Sequence, residues 1–218
     1  EGFDEVWERM VRDEPMASLR AVHWAGRTPE KVIEDVLSEE LAVQDGDGGR
    51  SFARSYGATL GTYVDYSTAA ARCEEWQILS PFRGRAYGTV QLNRHLKESY
   101  RTKDLEVALL PTFKRWVPAP LGPERIVLGD KVVNLVNRAV GYWSRAEGKQ
   151  RGYVANGEIG VVIGQLKSRN MKSAPRDTQV EYSSQPGRRY HALGGRSDGD
   201  APIELAWALT VHKSQGSE

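Results

Sequence analysis

A single cysteine in 218 residues, Cys73, rules out an intrachain disulfide and leaves too few thiols for a cysteine-built zinc site. The four histidines, His23, His95, His191 and His212, are scattered without metal-ligand spacing, so no metal site is assigned. No apolar run approaches the ~18 to 20 residues of a membrane-spanning helix, and no signal-peptide pattern opens the chain. With 39% hydrophobic residues and a mean hydropathy of -0.54, the expectation is a soluble protein in a reducing, cytoplasmic setting, without a membrane partner. A phosphate loop of the Gly-x-x-x-x-Gly-Lys-Ser/Thr type is missing too: Gly148 and Lys149 are followed by Gln150. The chain opens on Glu1 and stops within its most informative stretch, so it is expected to be part of a longer protein.

Net charge is +1, an average that hides a division. Residues 1–50 carry 6 Lys/Arg against 13 Asp/Glu, a net of −7, whereas residues 125–196 carry 13 against 5, a net of +8. A basic second half suits contact with a polyanion, or a solvated surface. Asp45 and Asp47 begin like a calcium loop, but Gly49 and Tyr56 stand where further ligands belong, so calcium is not expected.

Apolar spacing predicts an amphipathic helix over residues 3–11 and a second over 28–41, with Thr28 as cap and Pro29 at the first helical position. Residues 76–80 read as a short buried strand. It runs into a basic glycine loop at 81–88 and a helix beginning near Thr89, a combination that favours anions. Residues 105–120, with Pro118 and Pro120, read as a crossing between sub-domains. Residues 126–136 read as a strand with a turn at Gly129-Asp130, followed by a loop of basic and glycine residues. Asn156-Gly157 signals a hairpin, and strands over 178–182 and 189–193 would complete a small antiparallel barrel. Tyr142 and Trp143, in the loop, suit core packing or base stacking.

The final stretch organises the rest. Ile203 to Val211 reads as a strand buried on both faces of a parallel sheet, and a hydroxyl, an imidazole, an ammonium, an amide and a glycine then follow within seven residues. Such residues at the C-terminal end of a strand suit a phosphate-handling turn. No general acid–base constellation accompanies His212, which disfavours a metabolic enzyme.

The run LAWALTVHKSQGSE resembles the late motif of superfamily 1 DNA helicases, especially those like the alpha subunit of exonuclease V. QILSPFRGRAYGTVQLN is similar to the segment that opens the second RecA-like domain in that family. GDKVVNLVNR and NGEIGVV resemble the SH3-like barrel inserted into that domain. The resemblance covers about residues 76–218. It implies an α/β fold: a RecA-like parallel-sheet domain, split over 76–124 and 201–218, interrupted by an SH3-like antiparallel β-barrel at 125–200, after an acidic helical segment at 1–75.

The same resemblance implies an ATP-dependent motor moving on single-stranded DNA, 5′ to 3′, with this part supplying DNA-backbone contacts and part of the ATP site. Ser80, Arg83, Arg85, Thr210, His212 and Lys213 would contact the DNA backbone, and Lys131, Lys167 and Arg169 of the barrel would contact phosphates, as would Arg138 and Lys172. Gln215, Gly216 and Glu218 would face ATP, and Asn93 matches a family asparagine. ATP and Mg2+ would be cofactors of the full-length protein, with the N-terminal RecA-like domain as a further partner, and the 218-residue chain alone would be inactive. The alternative is a non-catalytic module that binds nucleic acid or protein.

Overall fold

The structure, a computed structural model, describes residues 8–9, 12, 22, 26–85, 87–113, 117–166, 177–192 and 202–212. The chain forms two compact units, residues 1–41 and 42–218. In the first, helix α1 (Pro29–Leu41) begins as its sequence predicts: Lys31 N–H donates to the Thr28 hydroxyl at 3.3 Å. Lys31 and Asp35 then pair one turn apart at 2.9 Å. The helix expected over 3–11 falls mostly outside the described residues.

The second unit is mixed α/β. Asp47 caps α2 (Arg50–Ser55) by accepting the N–H groups of Gly49, Arg50 and Ser51. A small hairpin, β1 (Thr59–Leu60) with β2 (Val64–Asp65), leads to β3 (Ile78–Ser80). Two helices follow, α3 (Thr89–Tyr100) and α4 (Thr102–Leu109). Helix α4 occupies part of the stretch read as a crossing; the prolines that suggested irregular chain all lie beyond its end.

Seven strands build one antiparallel sheet: β4 (Lys131–Asn134), β5 (Arg138–Ser144), β6 (Gly148–Val154), β7 (Ile159–Leu166), β8 (Asp177–Tyr182), β9 (Arg188–His191) and β10 (Ile203–Leu205). Their order is β10-β4-β7-β8-β9-β5-β6. Strand parity explains it. Val140 and Tyr142 on β5, Val154 on β6, Val180 and Tyr182 on β8 and Tyr190 on β9 are buried. The Tyr190 ring lies 5.0 Å from that of Tyr142 and 5.7 Å from that of Tyr182.

Two expectations change here. Residues 138–154, read mainly as loop, form the β5–β6 hairpin, because exposed Lys149, Gln150 and Arg151 mask its alternation. Asn156-Gly157 does make a turn, with Gly157 at φ 93, yet β6 and β7 do not pair; β7 lies between β4 and β8.

The stretch from Ile203 to Val211 is not one strand. Ile203–Leu205 pairs antiparallel with β4, the chain crosses at Ala206-Trp207, and β11 (Ala208–Thr210) pairs parallel with β3, Thr210 opposite Ser80. Residues 203–205 therefore belong to the large sheet. Trp207, fully buried, fixes the crossing against Phe52, whose ring also stacks on Tyr100 at 4.6 Å.

Asp130, at the entry to β4, is buried and accepts from Arg101 Nε at 3.1 Å, from Val127 N–H at 2.8 Å and from the Lys97 ammonium. Arg101 also donates to the Tyr66 hydroxyl at 2.6 Å. Gly129, at φ 86, lets the backbone pass the Tyr66 ring, which a Cβ would overlap at 2.2 Å. Burial pushes the Lys97 pKa down while Asp130 opposes the shift. Because a buried ion pair broken from one side leaves uncompensated charge, Asp130→Ala is expected to cost about 3–5 kcal/mol. A lower urea midpoint measures this; an unchanged midpoint would rule it out.

Candidate nucleic-acid interface

Strands β3 and β11 end side by side, and the loop at 81–88 leaves from the same end. The local chemistry fixes that loop from within. Ser80 is buried; its hydroxyl donates to the Tyr87 carbonyl at 2.8 Å and accepts Phe82 N–H at 3.2 Å. Ser80 thus braces the loop and does not present its hydroxyl to a ligand. At the start of α3, Thr89 N–H donates to the Phe82 carbonyl and Val90 N–H to the Arg83 carbonyl, at 3.0 and 3.2 Å. Those donors, expected to favour an anion, are taken by the loop itself. Gly88 is required by this closure, since a Cβ there would lie 2.3 Å from the Arg83 carbonyl oxygen.

What the loop does present is cationic and aromatic. Arg83 and Arg85 are exposed; the Arg85 guanidinium sits 5.0 Å over the exposed Phe82 ring, and Tyr87 is exposed nearby in sequence. Arg83 pairs with Glu204 of β10. Together with Thr89, Asn93, Glu124 and Thr210 these two residues line a small cleft of 160 Å³. Burial pushes the Glu124 pKa up, and its carboxylate accepts Leu205 N–H at 2.7 Å. The structure therefore brings Arg83 and Thr210 together, though beside two carboxylates, a setting ill-suited to a triphosphate. His212 is exposed just past β11. Lys213, Gln215, Gly216 and Glu218 lie outside the described residues.

Asn93 holds the crossing. Its amide donates to the carbonyls of Leu205 and Ala208 at 3.0 and 2.9 Å, and its oxygen accepts Ala208 N–H at 2.8 Å. All three contacts are to backbone, so its role is structural.

On the large sheet the sequence-based assignments need correction. Lys131, expected to meet phosphates, is fully buried; its ammonium donates to the Trp76 carbonyl at 2.9 Å and lies 5.2 Å over the Trp76 ring. The short strand β4 is covered on both faces, so neither side of it reaches solvent. Arg138 is likewise engaged, donating to Ala192 carbonyl at 2.6 Å and Asn134 Oδ1 at 3.2 Å. Lys167, Arg169 and Lys172 lie outside the described residues. Cys73 is buried, and burial pushes its thiol up to about 12, which excludes a reactive thiolate.

A different surface emerges on the outer face of β6, β5 and β9. Register sets Trp143 between Lys149 and Arg189, then Gly141 beside Arg151, then Ala139 beside Tyr153. Arg189 sits 5.7 Å over the Trp143 ring, and His191 lies beside Gly141, paired with Asp177 at 3.0 Å. Trp143 is 36% exposed and Tyr153 57%, far more than core aromatics such as Tyr142. The rings stand roughly 14 Å apart along the strands, four residues at 3.4 Å each. Alternation of outward Ala139, Gly141 and Trp143 with buried Val140 and Tyr142 is the signal that would have found this face; the run of exposed residues 149–151 and the glycines at 141 and 152 obscured it.

No protein-family model, curated protein or solved structure matches this chain.

Burial depresses the Lys131 pKa to about 8, below that of an unfolded lysine near ~10.4. Between these values the unfolded chain holds a proton that the folded chain has released, so stability rises with pH. From pH 8 to 10 the unfolding free energy of the native chain is expected to gain about 2 kcal/mol relative to Lys131→Met. Urea titrations of both proteins at the two pH values read this difference, and parallel pH profiles would refute it.

Proposed function

We propose that this chain is part of an ATP-dependent superfamily 1 DNA helicase of the exonuclease V alpha-subunit type, and that it contributes contacts to single-stranded DNA. The observation that carries the reading is the outer face of β6, β5 and β9, where exposed Trp143 and Tyr153 alternate with Lys149, Arg151 and Arg189. Flat aromatic faces take successive bases by stacking without regard to sequence, while cations follow the phosphates. The parallel pairing of β11 with β3 supports the same reading from the other end, because it carries Thr210 and His212 to the edge from which Arg83 and Arg85 project. That edge is where open α/β sheets receive ligands.

ATP and Mg2+ belong in this proposal to the complete motor, in which the preceding RecA-like domain supplies the phosphate loop. The residues given to the nucleotide, Gln215, Gly216 and Glu218, are outside the described residues, and in this proposal they complete part of the ATP site.

The purified chain is expected to bind labelled single-stranded DNA with an affinity that falls steeply with salt, read by fluorescence anisotropy. Trp143→Ala is expected to weaken binding about tenfold, within the range measured for loss of one stacked base. Absence of binding at low salt would sink the proposal. DNA-dependent ATP hydrolysis by the chain alone would overturn its division of labour.

A further inference from the structure

The Arg83–Glu204 pair joins the 81–88 loop to β10, two parts of the fold that are each also tied to α3. Arg83 belongs to the loop at 81–88, and its carbonyl is held by Val90 N–H. Glu204 belongs to β10, opposite Val133 of β4, and its neighbour Leu205 is held by Glu124 and by Asn93. With both backbones fixed, only the side chains can exchange partners. The Arg83 side chain is 58% exposed and that of Glu204 26%, so solvent and solutes reach the guanidinium while the carboxylate sits deeper in the cleft shared with Thr89 and Thr210.

We propose that Glu204 is a specificity-determining residue: a tethered counter-ligand that occupies Arg83 until a polyanion displaces it. The proposal rests on the reading of the 81–88 loop as facing nucleic acid. A carboxylate fixed beside Arg83 competes at high effective concentration, so a lone phosphate displaces it poorly. A strand that is already held by its other phosphates presents the next one at comparably high concentration and displaces it readily. The exchange is feasible because an exposed ion pair is weak, and a phosphate restores to the guanidinium the two-point contact that its planar fork favours. Glu204 thereby favours polymers over mononucleotides and inorganic phosphate.

The test is a set of anisotropy titrations of labelled oligothymidylate against salt, with native protein, Glu204→Gln, Arg83→Gln and the double variant. Glu204→Gln is expected to tighten binding about two- to fivefold, the reach of an exposed ion pair. The slope of log affinity against log salt should stay close to the native value, because Arg83 neutralises the same phosphate in both proteins. In the Arg83→Gln background the same change is expected to do nothing, and Glu98→Gln, which removes an exposed carboxylate on α3, controls for general charge. If Glu204→Gln leaves affinity unchanged, or tightens binding equally without Arg83 or no more than Glu98→Gln, the counter-ligand role is refuted while DNA binding stands. If no variant and no native protein binds, the nucleic-acid reading fails and this inference with it.

Discussion

The carboxamide of Asn93 ties helix α3 to the crossing between the two sheets. Between Leu205 and Ala208 the backbone leaves an antiparallel sheet and enters a parallel pair, and at such a break the ladder cannot satisfy every polar group. Asn93 takes three of these groups at once, two carbonyls and one N–H, which no other side chain but glutamine is built to do, and glutamine is one methylene too long for the same backbone. Its own position is set by α3, whose start is closed by the 81–88 loop and whose end is tied to Asp130. The loop that displays Arg83 and Arg85 and the strand that displays Thr210 are therefore oriented by the same helix.

The buried cluster around Asp130 plays the matching part at the far end of α3. Lys97 and Arg101 leave the helix one turn apart and converge on a single carboxylate that also caps Val127 N–H. Apolar packing alone would let α3 slide against the entry to β4, since dispersion contacts are non-directional. Hydrogen bonds to a buried charge fix both direction and register, and the neighbouring Tyr66 and Gly129 contacts leave no room for an alternative. Trp207 and Phe52 then fill the space between these two fixed points.

Much of this was legible in the sequence, and what was missed was missed for physical reasons. Helix α3, the turn at Asn156-Gly157, strands near 178–182 and 188–191 and the mixed α/β character followed from periodicity and turn chemistry. The division of Ile203 to Val211 did not, because an apolar run buried on both faces has no period to show where one sheet ends and another begins. The tertiary partners, Asn93 and Trp207, are what break it. Lys131 was misplaced because the resemblance to a basic barrel offered it to phosphates without showing which face it occupies; burial against Trp76 is invisible without the partner. Of the candidate site residues that the resemblance supplied, Arg83, Arg85, Thr210 and His212 lie at or just past the ends of the paired strands β3 and β11, whereas Ser80 turned inward.

The basic excess of residues 125–196 shows why net charge alone does not locate a binding surface. Strand parity divides those cations. Lys131 and Arg138 serve the backbone, so neither is available to a polyanion, and Arg188 pairs with Glu147 in the β5–β6 turn. Among the described residues, Lys149, Arg151 and Arg189 face outward in register with exposed rings. Lys149 and Arg151 lie two residues apart along β6, roughly 7 Å, and Lys149 and Arg189 face each other across the intervening β5, roughly 10 Å.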